Sequence, residues 1–397
     1  MDEYLILTIS GLDQPGTTAG VTRILSNYPL VVTQLQQIVL QGELILGLTV
    51  QKQSVIDDDQ LKKDIDSFVK PLGMTLRIKA TKENRTAPTD LQLLVTVLGN
   101  PLMPDALAAV TGVIASHGAN IDRIRQVAEY PVTAIEFEVS GAVQKTLRSA
   151  LAKVSRTNAI DVAVQQASLD RRGVQLVVLD VDSTLIRQEV IEILARFAGV
   201  EQEVTEITHR AMNGELDFSE SLRQRVSLLA GLPVSRLAEV RSEIQFTPGA
   251  ATLCRTLHRL GYHVALVSGG FTEVVTPLAA ELGVFNVRAN QLEVVDGVLS
   301  GKISGEIIDR KGKAQALVDL ANKLNVPMSR TIAVGDGAND LDMLNVAGIG
   351  IAFNAKPYVS DATDTALTSP YLDSILYVMG ISRTEIEQAD GRGKWSG

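Results

Sequence analysis

The chain has 397 residues, a formal net charge of -9 and 45% hydrophobic residues, a composition typical of a globular protein with two or three domains. The acidic balance and the 4% content of aromatic residues argue against a nucleic-acid partner, which would need a basic surplus and stacking side chains. A single cysteine, Cys254, excludes an internal disulfide and a thiolate metal cluster.

The first residues, MDEYLILTIS, begin acidic and lack the basic region of a signal peptide. They pass directly into an alternating apolar pattern, which indicates a strand. No apolar run in the sequence approaches the ~20 residues that a membrane-spanning helix requires. We therefore expect a soluble, cytoplasmic protein with no membrane partner.

The N-terminal 80 residues predict a small unit in which strands and helices follow the order βαββαβ. Apolar residues alternate in the strand segments and recur at helical spacing in the two helices. The predicted elements are a strand at 4–9, a helix at 17–26, strands at 31–40 and 43–51, a helix at 57–69 and a strand at 74–80.

A polar linker over residues 81–90 precedes a second unit with the same order of elements. Its predicted elements are a strand at 91–98, a helix at 104–117, strands at 120–128 and 133–141, a helix at 143–155 and a strand at 159–167. The segments VTQLQQ (32–37) and IDRIRQ (121–126) align at an offset of 89 residues. We interpret the two units as a duplicated domain, for which pairing or pseudo-symmetry is more typical than an open solenoid.

The first strand-to-helix turn carries Gly11, Asp13, Pro15 and Gly16. With this turn, the two units resemble ACT domains, βαββαβ modules that commonly bind amino acids and regulate attached enzymes. Glycines let backbone amides approach a ligand at a helix N-terminus, so the resemblance implies a regulatory ligand at Gly11, Asp13 and Gly16. A plain turn is the alternative interpretation. The second copy keeps Gly99 but has no glycine before its helix, which leaves its ligand binding open.

After a second linker at 165–173, continuous apolar strands alternate with helices. The predicted strands are 174–181, 263–270 and 330–337, and helices such as 272–282 and 313–324 lie between them. This alternation predicts an α/β fold with a doubly wound parallel sheet, whose site lies at the carboxyl ends of the strands. Residues 187–247 are helical and charged, and we interpret them as an inserted cap.

Small and acidic residues follow three of these strands. They are DVDST at 180–184, SGG at 268–270 and GDGAND at 335–340, and Lys313 opens the predicted helix between the last two. Each segment alone is explained by a helix cap, a turn or a solvated charge. Together, at the ends of the predicted parallel strands, they favour a site for phosphoryl transfer.

The residue types suit transfer through a covalent carboxyl-phosphate. Asp180 and Asp336 can jointly hold Mg²⁺, which prefers oxygen ligands and offsets the repulsion between a carboxylate nucleophile and a phosphate. Lys313 adds a second cation, and the Ser268 hydroxyl with nearby backbone amides can donate to phosphate oxygens. Asp182 is placed to protonate the leaving oxygen and then to deprotonate water.

The segments DVDSTLI (180–186) and VGDGANDLDML (334–344) resemble the phosphoserine phosphatases of the haloacid dehalogenase superfamily, over residues 174–380. The resemblance implies Asp180 as the nucleophile and Asp182 as the general acid and base. It implies Mg²⁺ held by Asp180, Asp336 and the backbone carbonyl of Asp182, with Asp340 supporting the metal shell. The expected phosphate ligands are Ser183, Ser268, Gly269, Lys313 and Asn339.

The cap contains candidate substrate contacts. Phosphoserine carries an ammonium and a carboxylate beside its phosphate, so a selective pocket needs one acid and one base. Glu189 can meet the ammonium, and Arg225 can bind the carboxylate in bidentate fashion. Both match the family's substrate contacts, as do Met212 and Phe218, which would shield the site from water, and Gly270 completes the set. Each alone has an ordinary alternative as a solvated charge, an ion-pair partner or cap core.

The sequence therefore predicts three domains, at 1–82, 90–168 and 174–390, and an enzyme. The expected reaction is Mg²⁺-dependent hydrolysis of O-phospho-L-serine to L-serine and phosphate, the last step of serine biosynthesis, through an aspartyl-phosphate. The ACT resemblance implies regulation by an amino acid, with serine as the expected effector, and a homodimer. Two alternatives stay open: a phosphatase for another small phosphomonoester, and a non-catalytic amino-acid sensor on a phosphatase scaffold.

Overall fold

A computed structural model describes residues 3–82, 92–212, 215–363 and 365–392, without the side chains of Met212 and Arg392. The described residues form two compact units, divided between residues 87 and 88. The first unit contains one repeat domain, residues 3–82. The second unit contains the other repeat domain, residues 92–166, and the α/β domain, residues 174–392.

The first repeat domain is a four-stranded antiparallel sheet with strand order β2-β3-β1-β4 and two helices. Its elements are β1 (Tyr4–Leu12), α1 (Thr17–Leu25), β2 (Leu30–Leu40), β3 (Glu43–Lys52), α2 (Asp58–Val69) and β4 (Thr75–Thr81). Alternate residues of β1, namely Leu5, Leu7 and Ile9, are buried with the apolar stripe of α2, as a half-buried strand requires. Asp57 caps α2 by accepting hydrogen bonds from two backbone N–H groups.

The second repeat domain has the same topology, with strand order β6-β7-β5-β8. Its elements are β5 (Leu93–Gly99), α3 (Pro104–Ser116), β6 (Asn120–Ala128), β7 (Thr133–Ser140), α4 (Gln144–Asn158) and β8 (Asp161–Gln166). The aligned segments at 32–37 and 121–126 lie in β2 and β6, the equivalent edge strands of the two sheets. The predicted duplication is therefore confirmed in the fold.

The two copies differ in the turn between their first strand and first helix. Gly16 precedes α1 with φ of 95°, in the left-handed region that favours glycine. Met103 holds the corresponding place before α3 with φ of -84°, which any residue adopts. The backbone that could approach a ligand in the first copy therefore has no equivalent in the second.

The α/β domain alternates strands and helices and carries the helices α5 to α8 as an insertion after its first strand. The elements are β9 (Leu176–Leu179), α5 (Val190–Ala198), α6 (Glu201–Met212), α7 (Phe218–Ser227), α8 (Leu237–Glu243), α9 (Ala250–Arg259), β10 (His263–Phe271), α10 (Thr272–Glu281), β11 (Asn286–Val295), β12 (Val298–Ser304), α11 (Arg310–Lys323), β13 (Thr331–Gly335), α12 (Leu341–Val346), β14 (Ile349–Phe353), α13 (Pro357–Asp361), β15 (Thr365–Leu367), α14 (Ser374–Val378) and α15 (Arg383–Arg392).

A seven-stranded sheet with order β12-β11-β10-β9-β13-β14-β15 forms the centre of this domain. All neighbouring strands from β11 to β15 run parallel. The four residues of β9 are fully buried, because helices cover both faces of a parallel sheet. The chain crosses from β9 to β10 on one side and later to β13 on the other. The doubly wound α/β prediction is therefore confirmed, and the order of strands changes direction at β9.

Four features of this domain were not part of the sequence prediction. The antiparallel hairpin of β11 and β12 extends the sheet, and the strands β14 and β15 extend its other edge. The helix predicted to open at Lys313 begins at Arg310, because Asp309 accepts a hydrogen bond from the backbone N–H of Gly312 at 2.8 Å and so caps it three residues earlier. An antiparallel bridge between Ile186 and Phe246 joins the two ends of the helical insertion.

The second repeat domain packs against the α/β domain through buried polar contacts. Glu136 in β7, 4% exposed, accepts hydrogen bonds from Arg125 at 2.8 Å and Arg171 at 2.5 Å. Arg171 also donates to the carbonyl of Val378, and Arg125 donates to that of Gly380. Burial alone would raise the pKa of Glu136, but the two guanidinium groups outweigh it and hold the pKa below its usual value of 4.5.

None of the helices in the described ranges combines the length and the apolar character that a bilayer crossing requires.

We predict that Glu136→Ala lowers the free energy of unfolding of the second unit by about 2 kcal/mol, because it leaves Arg171 half-buried without its carboxylate. The matched control is Glu138→Ala on the same strand, whose pair with Arg123 is exposed, so its effect stays within about 0.5 kcal/mol. Differential scanning calorimetry measures both. Equal effects of the two variants on the free energy of unfolding would contradict a stabilising role for the buried pair of Glu136 and Arg171.

The pair of Glu136 and Arg171 also predicts that the stability of the folded protein depends on pH. Because the folded pKa of Glu136 lies below 4.5, its contribution to stability is complete above that pH and is lost as the pH falls through the folded pKa. The difference in melting temperature between the wild type and Glu136→Ala should therefore shrink as the pH is lowered below 4.5.

Candidate active site

The carboxyl ends of three adjacent strands bring the predicted motifs together. Because β10 and β13 flank β9 in parallel, the residues that follow these strands meet at one edge of the sheet. Asp180 comes directly after β9, and its backbone N–H donates to the carbonyl of Val334 in β13 at 2.9 Å. Ser268 lies near the end of β10, and Asp336 comes directly after β13.

A buried ion triad forms the floor of the site. The Lys313 ammonium is fully buried and donates to the Oδ1 atoms of Asp180 at 2.6 Å and Asp340 at 2.7 Å. The second oxygen of Asp340 accepts from the backbone N–H of Gly337 at 3.0 Å. Burial alone would lower the pKa of Lys313, but the two carboxylates outweigh it and raise the pKa. The lysine is therefore a fixed cation beneath Asp180.

Three carboxylates at this floor fit a divalent cation. One oxygen each of Asp180, Asp336 and Asp340 lies within 4.8 Å of the others, and carboxylate oxygens are the ligands that Mg²⁺ prefers. Burial and the charge of Asp340 raise the pKa of Asp180, with partial compensation by Lys313. Burial, Asp340 and Glu189 raise the pKa of Asp336 to about 7. The cluster thus holds more negative charge than Lys313 balances, which a bound cation would offset.

Asp182 is held at the side of the site by two elements. Its Oδ1 accepts from the backbone N–H of Val190 at 2.8 Å, and its Oδ2 accepts from the Ser268 hydroxyl at 3.2 Å. Ser268 in turn accepts from the backbone N–H of Gly270 at 2.7 Å. A Cβ at position 270 would lie 2.9 Å from the Asp182 carboxylate, so the strand end needs glycine there. Burial and the charge of Glu189 raise the pKa of Asp182 to about 7.

A cleft of about 640 Å³ opens above this floor, between the sheet edge and the cap. It is large enough for a small ligand. Nine predicted site residues line it, namely Asp180, Asp182, Glu189, Phe218, Arg225, Gly269, Gly270, Asp336 and Asn339. Phe218 covers one strand end closely, because a Cβ at Gly269 would lie 3.1 Å from its ring.

Two opposite charges from the cap face the cleft. Glu189 precedes α5, and its Oε1 accepts from the Ser183 hydroxyl at 2.7 Å. Arg225 in α7 forms no ion pair within the described part of the chain, and its Nε donates to the carbonyl of Ser221 at 3.4 Å. Burial lowers the pKa of Arg225, an effect that Glu189 and Asp182 oppose. A half-buried guanidinium without a carboxylate partner is a site for an anionic group.

The structure does not bring all predicted residues to the cleft surface. Ser268 and Lys313 are fully buried beneath it. Ser183 faces Glu189 and lines a neighbouring cavity. Met212 ends α6, and its side chain lies outside the described residues. Gly11, Asp13 and Gly16 belong to the first unit. Gly11 lies near the end of β1, and Asp13 and Gly16 lie in the turn before α1.

Sequence reasoning missed several residues that line the cleft. Arg310 begins α11 and is paired with Asp342 at 2.8 Å. Lys356 and Tyr358 follow β14, and Leu216 and Ser221 lie in the cap. Lys356 and Tyr358 obey the same strand-end rule that located Asp180 and Asp336. The sequence therefore contained the information that locates Lys356 and Tyr358, but its use required β14 to be identified as a further parallel strand.

Family models match three parts of the chain. The model for haloacid dehalogenase-like hydrolases matches residues 177–345. Two models for ACT domains match residues 3–79 and 93–165.

Curated proteins and solved structures also resemble the chain. A phosphoserine phosphatase of Streptomyces coelicolor is 49% identical over 387 residues, which cover 97% of this chain and 94% of the relative. Phosphoserine phosphatase SerB2 of Mycobacterium tuberculosis is 44% identical over 390 residues, covering 97% of this chain and 95% of the relative. The crystal structure of a probable phosphoserine phosphatase from Vibrio cholerae is 33% identical with a TM-score of 0.61, and the match covers 77% of this chain and 91% of that one.

The carboxylate cluster generates a prediction about cation binding. Asp336→Asn should weaken Mg²⁺ binding at least about ten-fold, because it removes a charged oxygen ligand from the cluster. Asp342→Asn is the matched control, since Asp342 is a nearby acid that pairs with Arg310 outside the cluster. Isothermal titration calorimetry with MgCl₂ measures both affinities. A loss of affinity in Asp342→Asn alone would place the cation elsewhere.

Proposed function

This chain belongs to the phosphoserine phosphatase family of haloacid dehalogenase-like hydrolases, and we propose that it hydrolyses O-phospho-L-serine to L-serine and phosphate through an aspartyl-phosphate on Asp180. The observation that carries this proposal is a buried carboxylate bound by Lys313, at the floor of a cleft with Glu189 and Arg225 in its wall. The floor suits a phosphate, and the wall suits the ammonium and carboxylate of an amino acid.

Mg²⁺ is the cation that we propose for the site. Asp180 and Asp336 would hold it with the backbone carbonyl of Asp182, and Asp340 would support the set from its hydrogen bonds to Lys313 and Gly337. When bound, Mg²⁺ neutralises charge on the phosphate and on the attacking carboxylate. The uncompensated negative charge of the three-aspartate cluster supports a divalent cation there.

Two aspartates carry out different parts of the proposed reaction: Asp180 forms the covalent bond to phosphorus, and Asp182 transfers protons. An oxygen of Asp180 attacks phosphorus, and the bond between phosphorus and the serine Oγ breaks. Asp182 in its acid form gives a proton to the leaving Oγ, and afterwards takes a proton from the water that attacks phosphorus. The bond between phosphorus and the Asp180 oxygen then breaks, which releases phosphate and restores the Asp180 carboxylate. A pKa raised to about 7 supports this double role, because the carboxyl group is then populated in both forms near neutral pH.

The phosphate oxygens need donors that are in place before the reaction. Lys313 lies within hydrogen-bond distance of Asp180 and supplies positive charge without a change of position. We propose that Ser268, the backbone N–H of Gly269 and Asn339 complete the set. Ser183 donates to Glu189 and Ser268 donates to Asp182 in this structure, so their proposed contacts with phosphate require both hydroxyls to turn toward the substrate.

The charges in the wall provide the selection for an amino acid. Glu189 would accept from the substrate ammonium, and Arg225 would donate to the substrate carboxylate. Phe218 packs over Gly269 and, with Met212 and Gly270, would keep water from the reacting phosphate. A phosphomonoester without the ammonium and the carboxylate would use only the floor of the cleft.

We predict that Arg225→Ala lowers kcat/KM for L-phosphoserine about 100-fold, the loss expected when a half-buried charged partner is removed. Turnover of p-nitrophenyl phosphate should change less than about three-fold, since that ester has no carboxylate for Arg225 to bind. Arg223→Ala, an exposed position on the same helix, is the control and should leave both rates unchanged. Phosphate release with Mg²⁺ measures all of them.

The outcomes separate the alternatives. Equal losses of both activities in Arg225→Ala would favour another small phosphomonoester as the substrate. If the wild type released no phosphate from phosphoserine, and Asp180→Asn changed nothing, the chain would be a non-catalytic amino-acid sensor. The intact set of Asp180, Asp182, Lys313 and Asp336 in one site argues against that second alternative.

We further propose that the ACT pair regulates the enzyme, with serine as the effector, and that the protein is a homodimer. The left-handed Gly16 at the start of α1 and the exposed Asp13 before it support the first copy as the ligand site. A glycine there opens backbone N–H groups to a carboxylate.

Added L-serine should change the rate of phosphate release, and Asp13→Ala should reduce that response about five-fold or more. Asp105→Ala, in the first helical turn of α3 in the second copy, is the control and should leave the response intact. Light scattering with and without serine tests the dimer. A monomer under both conditions would exclude the proposed assembly.

A further inference from the structure

The segment that follows β14 forms part of the catalytic cleft. Lys356 and Tyr358 line it, and β14 lies beside β13, the strand that leads to Asp336. Lys356 is exposed and forms no ion pair with any residue that the structure describes. The other cations in the lining differ, because Arg310 is paired with Asp342 and Arg225 is half-buried under the cap.

The negative charge of the cleft lining makes an unpaired cation useful for attracting an anionic substrate. The lining contains five carboxylates, those of Asp180, Asp182, Glu189, Glu192 and Asp336. Lys313 and the proposed cation balance part of the charge at the floor, whereas Glu189 and Glu192 lie outside that cluster and repel the phosphate of an approaching monoester. A free ammonium at the exposed side of the same cleft attracts that anion and raises the rate of productive encounter.

We propose that Lys356 is a substrate-positioning residue that captures the phosphate ester, and that the second ACT domain holds it at the cleft. This inference rests on the proposed function, since it presumes an anionic substrate that enters this cleft. It assigns the second ACT domain a part in building the active site.

The second ACT domain contacts α13, the short helix that follows this lysine. Arg156 at the end of α4 forms an ion pair with Asp361, the last residue of α13. Lys356 immediately precedes α13, and its carbonyl accepts from the backbone N–H groups of Val359 and Ser360. The helix therefore joins the ACT contact at one end to the cleft at the other.

A buried contact of the second ACT domain also holds the segment between β14 and α13, through the carboxylate of Asp161. Asp161, the first residue of β8, is 4% exposed and accepts from the backbone N–H and hydroxyl of Thr368, both at 2.8 Å, and from the N–H of Ser369 at 3.3 Å. The Ser369 carbonyl accepts from the side chain of Asn354 at 3.2 Å. Asn354 lies two residues before Lys356, so hydrogen bonds run from Asp161 to the start of the segment.

The first experiment measures capture. Lys356→Ala should lower kcat/KM for L-phosphoserine about five-fold at low salt, with kcat within about two-fold of the wild type. The deficit should shrink in about 0.5 M NaCl, where charges are screened over a few ångströms. Lys356→Arg should retain the wild-type value, and the exposed Lys323→Ala, outside the cleft lining, is the control. An unchanged kcat/KM in Lys356→Ala, with an active wild type, would overturn the inference. An inactive wild type would instead overturn the proposed function.

The second experiment tests the role of the ACT domain by a double-mutant cycle on the full chain. Asp161→Asn should lower kcat/KM in the wild-type background and have no further effect in Lys356→Ala, because both changes act through one side chain. If Asp161→Asn fails to fold, Thr368→Val removes only the hydroxyl bond and completes the cycle. Effects of the two substitutions that multiply independently would show that the ACT domain does not act through Lys356.

Discussion

The fully buried ammonium of Lys313 is the interaction on which the rest of the catalytic domain depends. It lies between Asp180 and Asp340, and an isolated charge at that depth would cost several kcal/mol to desolvate. Without the lysine, the carboxylates that meet at the strand ends would be forced to take up protons. With it, part of their mutual repulsion is offset, although burial, Asp340 and Glu189 still raise the pKa of Asp336.

The sheet and the cap contribute different residues to the candidate site. Parallel strands deliver Asp180, Asp336 and the end of β10 to one edge, where short backbone bonds such as that from Asp180 to Val334 keep them rigid. The cap adds Glu189, which precedes α5, and Arg225 in α7. A bridge between Ile186 and Phe246 joins its two ends, and a bridge between Pro233 and Val298 joins it to β12. The proposed reacting groups thus follow buried strands, whereas the two charges proposed to select the substrate lie just before α5 and within α7.

The sequence was most informative where one periodicity or one residue type decides the structure. Continuous apolar strands, the repeated βαββαβ order and the glycines at Gly269 and Gly270 predict the folds and the strand ends, because each has a local physical cause. Lys356 and Arg310 were missed for a different reason. Lys356 follows a strand end, but it can be placed at the cleft only once β14 is identified as a parallel strand beside β13. Arg310 pairs with Asp342, a residue 32 positions later in the chain, and this pairing follows from the fold. Ser183 likewise matches its motif, yet its hydroxyl is engaged by Glu189.

The duplicated domains differ at one cross-strand pair, which is exposed in the first copy and buried in the second. In the first copy, Ser10 pairs across the sheet with Thr75, the first residue of β4, and their exposed hydroxyls bond to each other. In the second copy the equivalent pair is Leu98 and Asp161, and both are buried. A carboxylate can be buried there only because Thr368 and Ser369 supply its hydrogen bonds. The second copy is therefore bound to the catalytic domain by the same strand end that the first copy leaves open to solvent.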